Sequence, residues 1–160
     1  MLLELITDKF GAFITTLAVA MLPVVELRGA IPLGISLGLH PWVALLAGVI
    51  GNLIPSPFII LFIRRIFAFL RRKSAKLERL VARLEKRAEG KWETIHTFEF
   101  FGLLFFVAIP LPGTGAWTGS LIAAIANMRM RSALPAIAIG VIIAGFLITG
   151  LSVGFAAIFT

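Results

Sequence analysis

Four long stretches without a charged residue constrain this chain more than any other feature of its sequence. They cover residues 10–25, 29–63, 100–128 and 132–160. A helix of about 20 apolar residues crosses the hydrocarbon core of a bilayer, and three of the four stretches are longer than that. Only 14% of the residues are charged, compared with about a quarter in an ordinary soluble domain. The sequence therefore predicts an all-α integral membrane protein, and we expect it to pass through the cell membrane several times.

Nearly all the positive charge lies in one segment. Residues 64–91 carry 11 Lys or Arg residues and 3 acidic residues, a net charge of +8, whereas the whole chain carries +7. The positive-inside rule predicts that the segment 64–93 is cytoplasmic. Leu70, Leu77 and Leu84 recur every seven residues among arginines, which favours an amphipathic helix on the inner leaflet, with a coiled coil as the alternative. Because this charge is confined to a segment between membrane spans, we expect membrane lipids as partners and no nucleic acid.

The basic segment divides a single membrane domain, 1–160, into halves of similar size, 1–63 and 94–160. The one other basic cluster, residues 128–131, should also be cytoplasmic. The run 94–127 then begins and ends on the same side, and its prolines and glycines fall in the middle. A re-entrant hairpin explains this pattern, because irregular backbone is tolerated at membrane depth when protein surrounds it.

The first half supports the same interpretation in the opposite orientation. Residues 10–22 predict an apolar half-helix, residues 23–34 an interruption, and residues 41–63 a full span that ends in the cytoplasm. The two halves then form an inverted repeat, each with one re-entrant hairpin and one transmembrane helix, which in the second half covers residues 133–158. A weak internal match supports the repeat, since the segment 47–51 resembles the segment 139–143. Matched Gly/Pro interruptions in two halves indicate a transporter binding site.

Glu26 and Arg28 are the only charged residues between Lys9 and Arg64. A charge near the middle of a bilayer costs at least about 2.5–3.5 kcal/mol, so residues that keep one are candidates for function. Glu26 is a candidate for proton binding and Arg28 for anion binding, and Pro32 ends the motif that contains them. There are two structural alternatives. One is an ion pair that fixes the tip of the hairpin, and the other is a loop at the membrane surface, where neither charge is costly.

The second interruption is rich in residues that allow close approach of the backbone. It covers residues 109–120, and its candidate binding residues are Pro110, Pro112, Gly113, Thr114, Gly115 and Trp117. Glycine adopts positive φ angles at little steric cost, and free amides at the start of the following half-helix attract anionic groups. The alternatives are a tight packing loop of small residues and, for Trp117, an anchor at the membrane interface.

Asn52 is the remaining candidate binding residue. It interrupts the span 41–63 together with Pro55, Ser56 and Pro57, and it either lines the same cavity or forms a hydrogen bond between helices. The chain has no cysteine and two separated histidines, so we expect no metal site and no cofactor. A nucleophile with its base is not recognisable, and neither is a Gly-Lys-Ser/Thr phosphate loop, which disfavours an enzyme and an ATP-driven pump.

Two motifs carry a family resemblance. Residues 26–32, Glu-Leu-Arg-Gly-Ala-Ile-Pro, and residues 110–117, Pro-Leu-Pro-Gly-Thr-Gly-Ala-Trp, lie on either side of the basic segment. With this arrangement the chain resembles the small multidrug export proteins of bacteria and archaea. That family is similar, more distantly, to the DedA-type (VTT-domain) membrane proteins, which implies two opposed re-entrant hairpins and, for some members, lipid flipping. DedA relatives typically carry arginines around the second Pro-Gly loop, whereas this chain has Ile109 and Gly115 there.

The expected function is a small secondary transporter or lipid flippase for an anionic or amphiphilic substrate, with proton coupling through Glu26. Two hairpins and two spans leave little protein to surround a polar cavity, so we expect a homodimer or a larger homo-oligomer. The alternative from a different class is a non-transporting scaffold or lipid-organising protein that uses the basic helix. A membrane enzyme is the weakest of the three hypotheses.

Overall fold

All regular structure in the described part of the chain is α-helical. The computed structural model describes residues 2–73, 75, 78–79, 82–83, 99–111 and 113–159. Seven helices fall in these ranges: α1 (Leu2–Ala20), α2 (Glu26–Ser36), α3 (Pro41–Leu53), α4 (Pro55–Lys73), α5 (Glu99–Ala108), α6 (Ala116–Ile125) and α7 (Met130–Phe159). The end of α4 begins the amphipathic helix expected over 64–93, and most of its remainder lies outside the described residues.

Among the described residues, two helical stretches are long and apolar enough to cross a bilayer. Pro41–Ile66, formed by α3 and most of α4, and Met130–Phe155 of α7 contain 26 residues each. At 1.5 Å per residue each stretch is roughly 39 Å long, more than the roughly 30 Å of the hydrocarbon core. In contrast, α2, α5 and α6 have 11, 10 and 10 residues and reach roughly half of that distance. The spans predicted over 41–63 and 133–158 are therefore confirmed as candidate transmembrane helices.

The first long stretch is broken at Ile54, between α3 and α4. Pro55 and Pro57 have no N–H, so they cannot donate to the carbonyls of Gly51 and Leu53, which lie four residues earlier. The break therefore leaves two backbone oxygens without their usual helical donors inside a stretch that is long enough to span the bilayer.

The interruption between α1 and α2 is shorter than the sequence predicts. It covers residues 21–25 rather than 23–34, and Pro32 and Gly34 both lie inside α2. Gly34 is required for packing, because a Cβ at this position would lie 2.6 Å from Thr16 Oγ1 of α1. In this segment, glycine marks a close helix contact and not the end of a helix.

The connections that follow α2 and α6 have the same hydrogen-bond pattern. After α2, in the segment 34–39, the Leu39 N–H donates to the Gly34 carbonyl at 3.0 Å, and the Gly38 N–H donates to the Ile35 carbonyl at 2.9 Å. The equivalent bonds in the segment 123–128, after α6, run from the last N–H to the Ala123 carbonyl at 3.0 Å and from the Asn127 N–H to the Ala124 carbonyl at 3.2 Å. Gly38 and Asn127 have positive φ angles of 83° and 55°, as is typical of this helix-ending motif. The two segments are 89 positions apart in the sequence.

A spacing of 89 positions also relates two glycines at close helix contacts. A Cβ on Gly51 would lie 2.3 Å from the Leu17 carbonyl oxygen of α1, and a Cβ on Gly140 would lie 2.8 Å from the Leu104 carbonyl oxygen of α5. In each case, the backbone of a neighbouring helix occupies the space that a side chain on the glycine would need. The internal match in the sequence pairs Gly48 with Gly140, three positions away from the pairing that these contacts indicate.

A common apolar core connects the two halves. Its largest fully buried apolar side chains come from four helices and are Leu27, Ile31, Ile60, Leu103, Ile137, Val107 and Val141. These residues form one contiguous cluster, so helices from both halves are fixed relative to each other. This core positions the polar groups of the candidate site.

Candidate functional site

The N-terminal ends of α2 and α6 meet, and a carboxylate lies between them. Glu26, the first residue of α2, is 5% exposed, and its Oε1 accepts a hydrogen bond from the Trp117 N–H at 3.1 Å. Trp117 is the second residue of α6, where N–H groups lack helical acceptors and the helix dipole favours negative charge. The sequence predicts that these amides hold an anionic group. In the structure, that group is the protein's own Glu26 carboxylate.

Gly115 leaves the space that the carboxylate occupies. It precedes α6 directly, its φ is 146°, and a Cβ built on it would lie 1.9 Å from Glu26 Oε2. Glu26 itself has a φ of 50°, a left-handed conformation that few residues other than glycine adopt. Such conformations cost about 1–3 kcal/mol and persist where the surrounding structure enforces them, often at functional sites.

Arg28 joins α2 to the second loop, which we define as residues 109–115. Its Nη1 donates to the Leu111 carbonyl, and its Nη2 donates to Thr114 Oγ1 at 2.9 Å. The Thr114 hydroxyl donates in turn to the Ile109 carbonyl, at the start of this loop, at 2.6 Å. Arg28 therefore contacts the body of this loop, while Glu26 contacts the helix that follows it. Both side chains form hydrogen bonds across the two halves, which an ion pair between them alone would not provide.

Trp117 makes the reciprocal contact with the first loop, which we define as residues 21–25. Its indole Nε1 donates to the Met21 carbonyl at 3.0 Å. Thus Arg28 of α2 donates to the second loop, and Trp117 of α6 donates to the first. These two residues are also 89 positions apart.

The other predicted loop residues occupy different places. Gly113 is exposed with a φ of 83°, and a Cβ there would meet nothing within 4 Å, so it serves the turn. Pro110 is half-buried in the second loop, and Pro112 lies outside the described residues. Pro32 is exposed one turn after Arg28, beside a groove.

Two apolar grooves lie beside the site. The Arg28 groove, between α2 and α7, has a volume of about 560 Å³, and its lining includes Arg28, Pro32, Ile148, Leu151 and Ser152. The Trp117 groove, between α4 and α6, has a volume of about 270 Å³, and its lining includes Trp117, Leu121, Ile59, Phe62 and Ile63. Arg28 is the one charged side chain among the described residues that line the two grooves.

Asn52 and Ser56 are two buried polar side chains at the break between α3 and α4. Each is 1% exposed, and neither Asn52 Oδ1 and Nδ2 nor Ser56 Oγ has a hydrogen-bond partner among the described residues. The buried hydroxyls of Thr16, Ser120 and Thr149 differ, because each donates to the carbonyl four residues earlier. A buried polar group without a partner costs about 1–3 kcal/mol, so these atoms are candidates to contact a substrate, an ion or water.

Helix packing brings Asn52 to the depth of Glu26. The short connection between α2 and α3 makes the two helices antiparallel, and the Ile31 side chain lies where a Cβ on Gly48 would be. Continuing this register by one turn brings Asn52 opposite Leu27, the residue that follows Glu26. The sequence suggests such a position for Asn52, but it gives Ser56 no role other than interrupting the span.

A pair of serine substitutions tests whether the Ser56 hydroxyl is free. We expect Ser56→Ala to leave the midpoint of thermal unfolding in detergent unchanged or raised, because the lost hydroxyl has no partner in the described structure. The matched control, Ser120→Ala, removes a hydrogen bond to the Ala116 carbonyl and should lower stability by about 1 kcal/mol. Equal destabilisation by the two substitutions would mean that Ser56 has a structural partner.

The chemistry of the site is that of protons, anions and neutral polar groups. It offers one carboxylate, one guanidinium, one amide and two hydroxyls, from Glu26, Arg28, Asn52, Ser56 and Thr114. Within the described ranges, no group of three or more His, Cys, Asp or Glu residues is arranged to hold a metal ion. The site can therefore orient an acidic or polar group.

One model of a known protein family matches the chain. The model described as "Putative small multi-drug export protein" matches residues 26–147. The match begins at Glu26 and includes Arg28, Asn52 and the whole second loop. No curated protein and no solved structure matches the chain significantly. Because the matched residues form most of the chain, this membrane protein belongs to the small multi-drug export protein family.

Proposed function

We propose that the protein is a small secondary transporter or lipid flippase that moves an anionic or amphiphilic substrate through the site between its two loops. The observation that carries this proposal is the pair of charged residues, Glu26 and Arg28, whose side chains bind the other half of the chain. Charges at membrane depth are costly, and they are found mainly along substrate and proton pathways. The family's description as an export protein agrees with transport.

Each polar group has one role in this proposal. Arg28 binds the anionic group of a substrate that enters by the Arg28 groove. Glu26 binds and releases a proton, and its protonation removes the charge attraction between Glu26 and Arg28. Protonation also weakens the charge-assisted hydrogen bond from the Trp117 N–H, which links α2 to α6. Asn52 contacts the polar part of the substrate at the same depth.

We also propose that each half is a re-entrant hairpin followed by a spanning helix, with the halves inverted, as the DedA resemblance implies. Three observations support this architecture. First, α2 and α6 reach roughly half of the hydrocarbon core. Second, Lys9 of α1 donates to the Gly38 carbonyl after α2, so the first hairpin returns to the level of Lys9. Third, Arg64 donates to the Met128 carbonyl after α6, beside the basic end of the first span.

Flux through proteoliposomes tests the proposed transport. The probes are an NBD-labelled anionic lipid, dodecyl phosphate and the cation ethidium, each measured with and without a pH gradient. Glu26→Gln and Arg28→Gln should each lower the rate at least tenfold. The control Lys9→Gln removes an exposed cation outside the site and should leave the rate unchanged. Unchanged flux in both site variants would overturn the site, and no flux of any probe would favour the scaffold alternative.

Single-cysteine labelling tests the orientation, and it is clean because the chain has no native cysteine. His40→Cys and Met130→Cys should react with a membrane-impermeant maleimide from opposite sides of the membrane. Arg72→Cys, at an exposed position of α4, should react from the same side as Met130→Cys, because both lie near basic clusters. Labelling of positions 40 and 130 from the same side would contradict the inverted arrangement.

The assembly we propose is a homodimer or a larger homo-oligomer in the plasma membrane. Large apolar side chains are exposed along the long helices, for example Phe58, Phe62 and Phe146, and they face either lipid or a second copy. Counting of subunits by single-molecule photobleaching in bilayers measures the number of copies directly.

A further inference from the structure

The two grooves are lined by equivalent residues of the two halves. Five lining residues of one groove correspond to five of the other at the spacing of 89 positions. The short helices α2 and α6 provide two of these pairs, Arg28 with Trp117 and Pro32 with Leu121. The long stretches provide three more pairs, among them Ser152 with Ile63. The grooves are therefore one structural feature that occurs twice.

The donors, helix ends and glycines beside the two grooves are equivalent as well. Arg28 donates a side-chain N–H to the second loop, and Trp117 donates one to the first loop, although the acceptors, the Leu111 and Met21 carbonyls, are 90 positions apart. The helix-ending connections and the positions of Gly51 and Gly140 obey the spacing of 89, whereas the backbone oxygens that these glycines approach, those of Leu17 and Leu104, are 87 positions apart. Each half thus donates a side-chain hydrogen bond from an equivalent position to the loop of the other half.

The two grooves differ in size and in charge. The Arg28 groove is about twice as large as the Trp117 groove, about 560 Å³ against about 270 Å³. One is lined by a guanidinium, and the other is lined by an indole at the equivalent position. The two halves therefore place equivalent residues around grooves of different volume.

We infer that the Arg28 groove and the Trp117 groove are the two ends of one path and that they open in turn. In this structure, the Arg28 groove is the larger. In a second conformation, the two halves exchange their arrangements, and the Trp117 groove becomes the larger. Two halves with equivalent donors, glycines and helix ends can each adopt the arrangement of the other, and packed cores switch between discrete states rather than deforming continuously.

The occupant of the path is an amphiphile with one anionic group. This assignment of the substrate class rests on the proposed function. The walls of both grooves are mainly apolar, and Arg28 is the charged side chain among their described lining residues. The anionic group binds Arg28 while the apolar part lies along α7, and the substrate leaves along α4 after the exchange.

Paired cysteines across each groove test the exchange without a known substrate. Pro32→Cys with Ser152→Cys spans the Arg28 groove, and Leu121→Cys with Ile63→Cys spans the Trp117 groove at the equivalent positions, so each pair is the matched control of the other. Both pairs should be linked by a short bis-maleimide in nanodiscs. In the four-cysteine variant, intact mass spectrometry should find molecules with both links at least fivefold below the product of the two separate yields.

Two results would overturn the inference. One is that both links form independently, so that doubly linked molecules appear at the product of the separate yields. The other is that the Ile63–Leu121 pair is linked while the Pro32–Ser152 pair never is, which indicates a single state. If one pair impairs folding, Pro32 with Leu151 and Leu121 with Phe62 provide the same comparison.

A ligand probe tests the charge of the occupant. Dodecyl phosphate should slow linking across the Arg28 groove at least threefold, and dodecyltrimethylammonium should not. Equal effects of the two detergent-like probes would reject the anionic group. Exclusive linking without flux of any probe would mean that the exchange is real and the proposed transport is wrong, whereas flux with independent linking would reject the exchange alone.

Discussion

Replacing Gly115 by alanine should disrupt the candidate site more than any other single substitution. The new Cβ would lie 1.9 Å from Glu26 Oε2, and the residue would also have to keep a φ of 146°. We expect the carboxylate to leave the Trp117 N–H, with a loss of at least about 3 kcal/mol of stability from backbone strain and the lost charged hydrogen bond. The midpoint of thermal unfolding in detergent should fall, and flux should decrease at least tenfold.

Gly113→Ala is the matched control for this prediction. Gly113 also has a positive φ, 83°, and lies in the same loop, but a Cβ there would meet no atom within 4 Å. Its replacement should cost only the backbone strain, about 1–2 kcal/mol. If Gly113→Ala and Gly115→Ala have equal effects on stability and flux, the space beside Glu26 is not what makes Gly115 important.

Removing the Arg28 charge should produce the second large effect, and the size of that effect should depend on Glu26. Arg28→Gln loses charged hydrogen bonds to the Leu111 carbonyl and Thr114, which contribute about 1.5–3 kcal/mol each. It also leaves the Glu26 carboxylate without the opposite charge that attracts it. We expect the midpoint of thermal unfolding to fall more than it does for Glu26→Gln, whose amide oxygen can still accept the Trp117 N–H.

A double-mutant cycle separates the two contributions of Arg28. The variant with both Glu26→Gln and Arg28→Gln should be destabilised by less than the sum of the single variants, with a coupling of about 1 kcal/mol or more. The reason is that neutralising Glu26 removes the buried charge that Arg28→Gln leaves uncompensated. Additive losses would show that the two residues act only through their separate hydrogen bonds to the second half.

The sequence was sufficient to find the residues that the structure brings together. Glu26 and Arg28 stand out because they are charges within long uncharged stretches, and Gly115 and Trp117 because they lie in a Pro/Gly-rich interruption. The structure places all four, with Thr114, in one set of hydrogen bonds and close contacts. These signals are local and depend on the cost of polar groups in lipid, so one sequence reveals them.

The pairing of the two halves could not be predicted in the same way. The spacing of 89 positions relates Glu26 to Gly115 and Arg28 to Trp117, so equivalent positions hold unlike residues. The correspondence lies in helix ends and in close helix contacts, which the residue types of two apolar segments do not reveal. The lack of a partner for the Ser56 hydroxyl among the described residues also depends on tertiary packing, since other buried hydroxyls, such as that of Thr16, donate to the backbone of their own helix.

The hydrogen bonds from Glu26 and Arg28 also determine when the first half of the chain can mature. Their partners lie 83 to 91 positions later in the sequence. At about 5–20 residues per second, a ribosome needs roughly 4–18 s to synthesise that length. Throughout this interval the nascent first hairpin carries a carboxylate and a guanidinium without their acceptors and donors. We therefore expect α2 to reach its final position only after the second loop has been synthesised.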